Sequence, residues 1–91
     1  MERDKEFDDF FESFKSELYK YAEQNPNKSY AELSVDNDFG YVFAVNCEYN
    51  YDQQKELITY LNITRAWFQF PDFEATLDKR YVAEIEEVFN Q

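Results

Sequence analysis

The sequence predicts an α+β domain with a small, mostly antiparallel three-stranded sheet and three helices, in the order α-β-β-α-β-α. Near the amino terminus apolar residues recur every three or four positions, which indicates an amphipathic helix. Further along they alternate with polar residues, as in a strand. Ten Phe, eight Tyr and one Trp supply a core, although the net charge is −11. Disordered acidic chains have few aromatics, so we expect residues 1–91 to fold as a single domain.

The first predicted helix carries an apolar stripe from Phe7 to Tyr21 and is ended by Asn25-Pro26. Side chains three and four positions apart share one face of a helix, and here that face is apolar. Proline ends the helix because the residue before it is pushed out of the α region. The apolar stripe consists of Phe7, Phe10, Phe11, Phe14, Leu18 and Tyr21.

Two strands joined as a hairpin are predicted next. Apolar and polar residues alternate from Tyr41 to Tyr49, and Tyr30–Val35 is the expected partner strand. Between them, residues 36–40 are rich in turn-forming types and include the only glycine of the chain. Ser29 and Glu32 also have the spacing of a helix capping box. The sequence therefore leaves residues 30–35 as either a strand or a helical turn.

The last third of the chain predicts a helix, a strand and a final helix. Asn50, followed by Gln53, indicates the start of a helix over Asp52–Leu61. The β-branched and aromatic segment Ile63–Phe70 predicts a third strand that stops at Pro71. Asp72 is the predicted cap of the final helix, where acidic residues suit the helix dipole. The inward side chains of this helix are expected to be Leu77, Tyr81, Ile85, Val88 and Phe89.

The residue types exclude most catalytic sites. Without histidine, Ser-His and Cys-His pairs and His-based metal sites are impossible. Cys47, the single cysteine, lies in a predicted strand and is expected to be a buried, inert thiol. Asp36-x-Asp38-x-Gly40 partly matches a calcium loop, but calcium loops have glycine at position 6 and glutamate at position 12, where this chain has Cys47. We expect no enzyme, no cofactor and no metal.

Composition also bounds the compartment and the ligand. The charged amino terminus lacks the apolar region of a secretory signal, and no apolar run approaches the ~20 residues of a membrane span. One cysteine fits a reducing compartment. Phosphates would repel a chain of this charge. We therefore expect a cytoplasmic protein that binds neither membranes nor nucleic acid directly.

The negative charge is spread along the whole chain. Residues 1–23 carry eight acids and four bases, residues 29–54 five acids and no base, and residues 72–91 six acids and two bases. Helical carboxylates four positions apart lie about 5–6 Å apart at Cβ, and phosphates along one DNA strand rise about 3.4 Å per nucleotide. We expect a phosphate-like array that binds a basic protein; a merely well-solvated surface is the alternative. Its carboxylates are Glu2, Glu6, Asp8, Asp9, Glu12, Glu32, Asp36, Asp38, Glu48, Asp52, Glu74, Asp78, Glu84 and Glu87.

The aromatic content exceeds what a core of this size easily hides. Tyr and Trp favour interfaces because they combine apolar area with a polar group. We expect an aromatic surface through which the chain forms a two-fold homodimer; scattered, half-exposed tyrosines are the alternative. The residues concerned are Tyr19, Tyr30, Tyr49, Tyr51, Tyr60, Trp67 and Phe68.

The whole chain resembles the DNA-mimic anti-restriction proteins of bacteriophages, in particular the Arn type of the T-even phages. The resemblance lies in small size, acidity and a texture rich in Phe, Tyr, Asn and Lys, as in DDFFESFKSELYKYAEQNPNKSY and ELITYLNITRAWFQFPDF. It implies a dimer that imitates the shape and charge of duplex DNA. Such a dimer would occupy the DNA-binding surface of a host restriction endonuclease of the McrBC type.

Two other functions fit the same residues. An acidic inhibitor or immunity protein of a toxin nuclease would concentrate its binding energy in one cluster with a few dominant residues. A non-catalytic adaptor would bind its partner through the aromatic surface, and that binding would not depend on salt.

Overall fold

The computed structural model describes residues 5–36 and 40–90, and of Glu6 only the backbone. The four strands form one antiparallel sheet in the order β1-β2-β3-β4. The predicted α+β class is confirmed, whereas the prediction of three strands and three helices is wrong. Along the chain the elements are α1 (Lys5–Gln24), β1 (Tyr30–Asp36), β2 (Val42–Asp52), β3 (Leu57–Gln69), β4 (Glu74–Thr76) and α2 (Lys79–Phe89).

Helix α1 lies across one face of the sheet and supplies much of the core. Phe14 and Leu18 are fully buried, and the ring of Phe10 packs against Phe43 and Phe68 of the sheet. The helix ends as predicted, where the Asn25 side chain donates a hydrogen bond to the Tyr21 carbonyl. The apolar stripe predicted from the sequence is thus the side of α1 that packs on the sheet.

Strands β1 and β2 form the predicted hairpin. Leu33 lies opposite Val45 and Val35 opposite Phe43, so residues 30–36 are a strand and the helical-turn alternative is wrong. The alternation in β2 is confirmed, since Phe43, Val45, Cys47 and Tyr49 are buried against the helices. Of the connecting turn, residues 37–39 lie outside the described residues.

The predicted helix over Asp52–Leu61 is wrong, because a tight turn at residues 53–56 leads directly into β3. The Asp52 carboxylate accepts hydrogen bonds from the backbone amides of Gln54 and Lys55, at 3.0 and 3.1 Å. A helix cap makes the same two bonds. The chain continues as a strand instead, because residues 57–69 pair with β2 along nearly its whole length.

The final helix begins six residues later than predicted. Its cap is Asp78, whose carboxylate accepts from the backbone amide of Arg80 at 2.8 Å. Asp72 and Glu74 therefore precede the helix, and Glu74 lies in β4 opposite Gln69. Leu77, Ile85 and Phe89 are buried as predicted, and Tyr81 is half-buried; Val88 was predicted inward but is 39% exposed.

Side chains of α2 satisfy the outer edge of β3 where β4 does not reach. The Asn90 side chain accepts from the Leu61 amide at 3.1 Å and donates to the Leu61 carbonyl at 2.9 Å. Two residues after Leu61 on β3, the Ile63 amide donates a hydrogen bond to the Glu86 carboxylate at 2.7 Å. The amide of Asn90 thus imitates a neighbouring strand and fixes α2 beside the sheet.

We expect Asn90→Ala to lower the free energy of unfolding by about 2 kcal/mol, because it leaves two partly buried backbone groups without partners. Asn90→Asp keeps the acceptor and loses the donor, so its stability should fall between those of the wild type and Asn90→Ala. Asn50→Ala, at an exposed asparagine of β2, is the matched control and should change stability little. Urea denaturation measures all three. Equal stability of the Asn90→Ala and Asn50→Ala variants would contradict this role.

Candidate functional site: the open face of the sheet

One face of the sheet is not covered by a helix among the described residues. The odd-numbered residues of β1 and β2 point toward α1 and α2, so the even-numbered ones point to the opposite side. We call that side the open face. On β3, the residues paired with even-numbered residues of β2 also lie on the open face, among them Arg65 and Trp67. Glu74 of β4 lies there too, because it is paired with Gln69 of β3. The open face is therefore a side of the sheet that no helix of the described residues covers.

Five carboxylates project from the open face. Asp36 and Glu74 lie at the two ends of one row that crosses all four strands. Glu32 and Glu48 are diagonal neighbours on β1 and β2, about 7–8 Å apart. Asp52 lies ten residues along β2 from the first row, which corresponds to about 33 Å. The carboxylates of the open face are Glu32, Asp36, Glu48, Asp52 and Glu74.

Arg65 is the only base on the strand positions of the open face among the described residues. Its guanidinium lies over the Trp67 ring at 3.8 Å and bonds the Glu74 carboxylate at 2.6 Å. Both groups hold the arginine at one end of the sheet. The positive charge of Arg65 therefore offsets the charge of Glu74, and the other four carboxylates of the open face keep their negative charge.

The remaining carboxylates of the open face make few bonds within the chain. Glu48 accepts from the Asn62 side chain at 2.9 Å, and Asp52 accepts the two turn amides. Glu32 and Asp36 make no ion pair or side-chain hydrogen bond within residues 5–36 and 40–90. Backbone pairing in the sheet fixes where Glu32 and Asp36 lie on β1, and both residues are exposed.

The structure places the other predicted carboxylates elsewhere. Asp8, Asp9 and Glu12 lie on α1 and Glu84 and Glu87 on α2, in the helical layer behind the sheet. Asp78 caps α2, and hydrogen bonds from Arg80 hold the pKa of its carboxyl below the ordinary value. The predicted array is thus divided between two sides of the molecule. Glu2, Asp38 and the side chain of Glu6 lie outside the described residues.

The predicted aromatic surface is only partly present. Tyr49 is 1% exposed, and burial raises the pKa of its phenol, so its assignment to the surface is wrong. Tyr30 and Tyr60 are each 43% exposed and both lie on the open face, separated by Glu48 and the polar residues beside it. The other residues of the prediction, Tyr19, Tyr51, Trp67 and Phe68, are half-buried. Sequence reasoning missed Phe73, which is 59% exposed beyond the predicted strand.

Cys47 is buried in the core, as predicted. Burial raises the pKa of its thiol to about 12, so the group stays protonated at neutral pH. Within the described ranges, no three His, Cys, Asp or Glu side chains stand where they would hold a metal ion together. None of the helices in those ranges combines the length and the apolarity needed to cross a membrane.

The fold and the site define an α+β domain with helices on one face of an antiparallel sheet and an acidic open face on the other. The sequence matches no known protein family, and comparisons with curated proteins and with solved structures found no match.

Proposed function

We propose that the chain is a DNA-mimic inhibitor, which occupies the DNA-binding surface of a host restriction endonuclease of the McrBC type and so protects phage DNA. The observation that carries the proposal is the open face, with five carboxylates and one arginine that already bonds one of them. A basic groove shaped for phosphates is the complementary surface. In this proposal the chain acts in the host cytoplasm, carries out no reaction and needs no cofactor.

The charge density of the molecule supports this proposal. The described residues include 17 Asp and Glu and 8 Lys and Arg, and their net charge of −9 over a longest extent of 41 Å corresponds to about 0.22 charges per Å. A single DNA strand carries one charge per about 3.4 Å, or about 0.29 per Å, and the duplex twice as much. One copy therefore has about three quarters of the charge density of one strand. Two copies side by side would have the same share of the density of the duplex, which is the reason to propose the homodimer as the active form.

Competition with DNA is the mechanism that follows. The carboxylates stand on paired strands, so little ordering entropy is lost when a partner binds them. Charge complementarity steers the two proteins together and raises the association rate by roughly 10–10³ at low salt. The inhibitor then leaves no room for DNA on the surface it covers.

Inhibition of DNA cleavage tests the proposal. We expect purified protein to inhibit a McrBC-type endonuclease at low salt, and added DNA substrate to relieve the inhibition. Salt should weaken it steeply, because screening reduces the attraction and the release of counterions on binding is less favourable at high salt. Inhibition that excess DNA does not relieve, or no inhibition at low salt, would contradict the proposal. The molar mass from sedimentation tests the homodimer in the same preparation.

A further inference from the structure

Strand β1 is the edge of the sheet that the described part of the chain leaves uncovered. The Tyr49 amide donates to the Ser29 carbonyl at 2.9 Å. In an antiparallel pair alternate residues exchange backbone hydrogen bonds, so the amides and carbonyls of residues 31, 33 and 35 point toward β2. The backbone groups of residues 30, 32, 34 and 36 therefore point away from the sheet. Within the described residues, no backbone or side-chain group bonds them.

On the opposite side of the sheet, several outward-pointing backbone groups of β3 have hydrogen-bond partners. Asn90 bonds both backbone groups of Leu61, Glu86 bonds the Ile63 amide, and the Leu77 amide donates to the Ala66 carbonyl at 2.9 Å. Exposed strand edges pair readily with other extended chains. The free edge of β1 is thus a specific difference between the two sides of this sheet.

A groove of about 550 Å³ runs between α1 and the free edge of β1. None of its lining residues is a base, and the nearest one on that side of α1 is Lys20, one turn beyond Ser16. On the other side of the edge, Glu32 projects from the open face, and Asp36, at a strand position of the same face, borders the groove as well. A chain laid along β1 would meet carboxylates on both of its faces. The polar residues that line the groove are Glu12, Ser13, Ser16, Glu17, Ser34 and Asp36.

We propose that β1 binds an extended, lysine- or arginine-rich segment of another protein, which adds to the sheet as a fifth strand. Backbone hydrogen bonds to residues 30–36 give the segment its register, and its basic side chains meet Glu32 and Asp36 or Glu12 and Glu17. A second copy of this chain is the wrong occupant, because self-pairing would bring two carboxylates per copy to one seam without a base. The site shares Glu32 and Asp36 with the open face but differs from the nuclease proposal, because it also needs the backbone edge of β1.

The test uses a capped peptide of alternating Lys and Thr with the seven-residue length of β1, titrated into the full-length protein and followed by fluorescence anisotropy. Ser34→Pro removes an outward amide and keeps every carboxylate, and proline is tolerated where the amide points away from the sheet. We expect Ser34→Pro to weaken peptide binding by at least about tenfold. Ser34→Ala keeps the amide and should bind as the wild type does.

A second measurement keeps the wild-type protein and compares two peptides. Alternate backbone nitrogens are methylated in both, at the odd-numbered positions in one phase and at the even-numbered positions in the other. One phase should lose binding and the other should keep most of it, because only one set of amides faces β1. Equal binding of both phases, or of the proline and alanine variants, would show attraction to acidic surface alone and overturn the proposal. A wild-type dimer that Ser34→Pro converts to a monomer would assign the edge to a second copy and also overturn it. Nuclease inhibition by the proline variant is read separately, since all its carboxylates remain.

Discussion

We expect the variant with all five carboxylates of the open face replaced by amides to lose roughly 50- to 100-fold in inhibition of the endonuclease. Exposed charge contacts contribute about 0.5 kcal/mol each, so five of them amount to nearly the 2.7 kcal/mol of a 100-fold change. The amides keep the shape of the side chains, and the amide oxygen that D52N introduces still accepts the bonds of the turn. Dose–response curves of DNA cleavage measure the effect. The substitutions are E32Q, D36N, E48Q, D52N and E74Q.

A control of equal charge separates the open face from the total charge. Five exposed carboxylates outside that face, replaced as D9N, E23Q, E56Q, D72N and E87Q, change the net charge by the same amount. The control variant should lose far less inhibition, because only the long-range attraction weakens. Equal loss in the two variants would contradict the assignment to the open face. Loss concentrated in one single substitution would indicate the hot-spot pattern of a toxin-nuclease immunity protein.

Phe14→Ala should lower the free energy of unfolding by about 3–5 kcal/mol, which is a large share of the stability of a domain this size. Phe14 is completely buried on α1, and its ring packs edge-on against Phe89 of α2 at 6.4 Å between centroids. Its removal opens a cavity at the point where the two helices meet. The remaining core must also offset the repulsion of eleven net negative charges. Chemical denaturation at fixed ionic strength measures the change.

Two further variants calibrate this result. Phe14→Leu fills most of the cavity and should cost markedly less than Phe14→Ala, so a measurable value is expected even where the alanine variant does not fold. Phe73→Ala removes the same ring from a side chain that is 59% exposed, and it should cost less than about 1 kcal/mol. If Phe73→Ala and Phe14→Ala were equally destabilising, the core described here would be wrong.

The sequence predicts the helix α1 and the β1–β2 hairpin because their signals are local. The period of α1 and the alternation in β2 hold over many residues without interruption. Strand β3 is different, since each of its two register shifts leaves one extra residue, at Thr59 and Thr64. Inward positions in β3 are therefore spaced by three, two, three and two residues. That spacing hides the alternation of a strand, and it leaves Ile58 and Leu61 three residues apart, as on one face of a helix.

Capping signals were ambiguous for a related reason. Asp52 bonds the same two amides in a hairpin turn that it would bond at the start of a helix. Asp72 and Asp78 are both suitable caps, and only the pairing of Glu74 with Gln69 of β3 decides between them. Long-range strand pairing settles both positions. Local sequence patterns do not show which distant segments pair as strands.

The candidate site was predictable in part. The predicted alternation of the hairpin places Glu32 and Glu48 on one side of a sheet. The sequence predicts Asp36 in the connecting turn and Asp52 in a helix, and only the strand pairing adds them to that side. Arg65 and Glu74 can be assigned to the same face only when the register of β3 with β2 and of β4 with β3 is known. The acidic rows predicted on the helices lie in the other layer, because the apolar stripe of α1 fixes which side of that helix meets the sheet.

Carboxylate footprinting of the complex tests most directly whether the open face is the surface that a nuclease contacts. A carbodiimide couples an amine to accessible Asp and Glu side chains, and mass spectrometry reads each one with and without the endonuclease. We predict protection of Glu32, Asp36 and Glu48, and its reversal by excess DNA, while Glu23 and Glu87 react as in the free protein. Protection of the helical carboxylates with the open face still reactive would contradict the account.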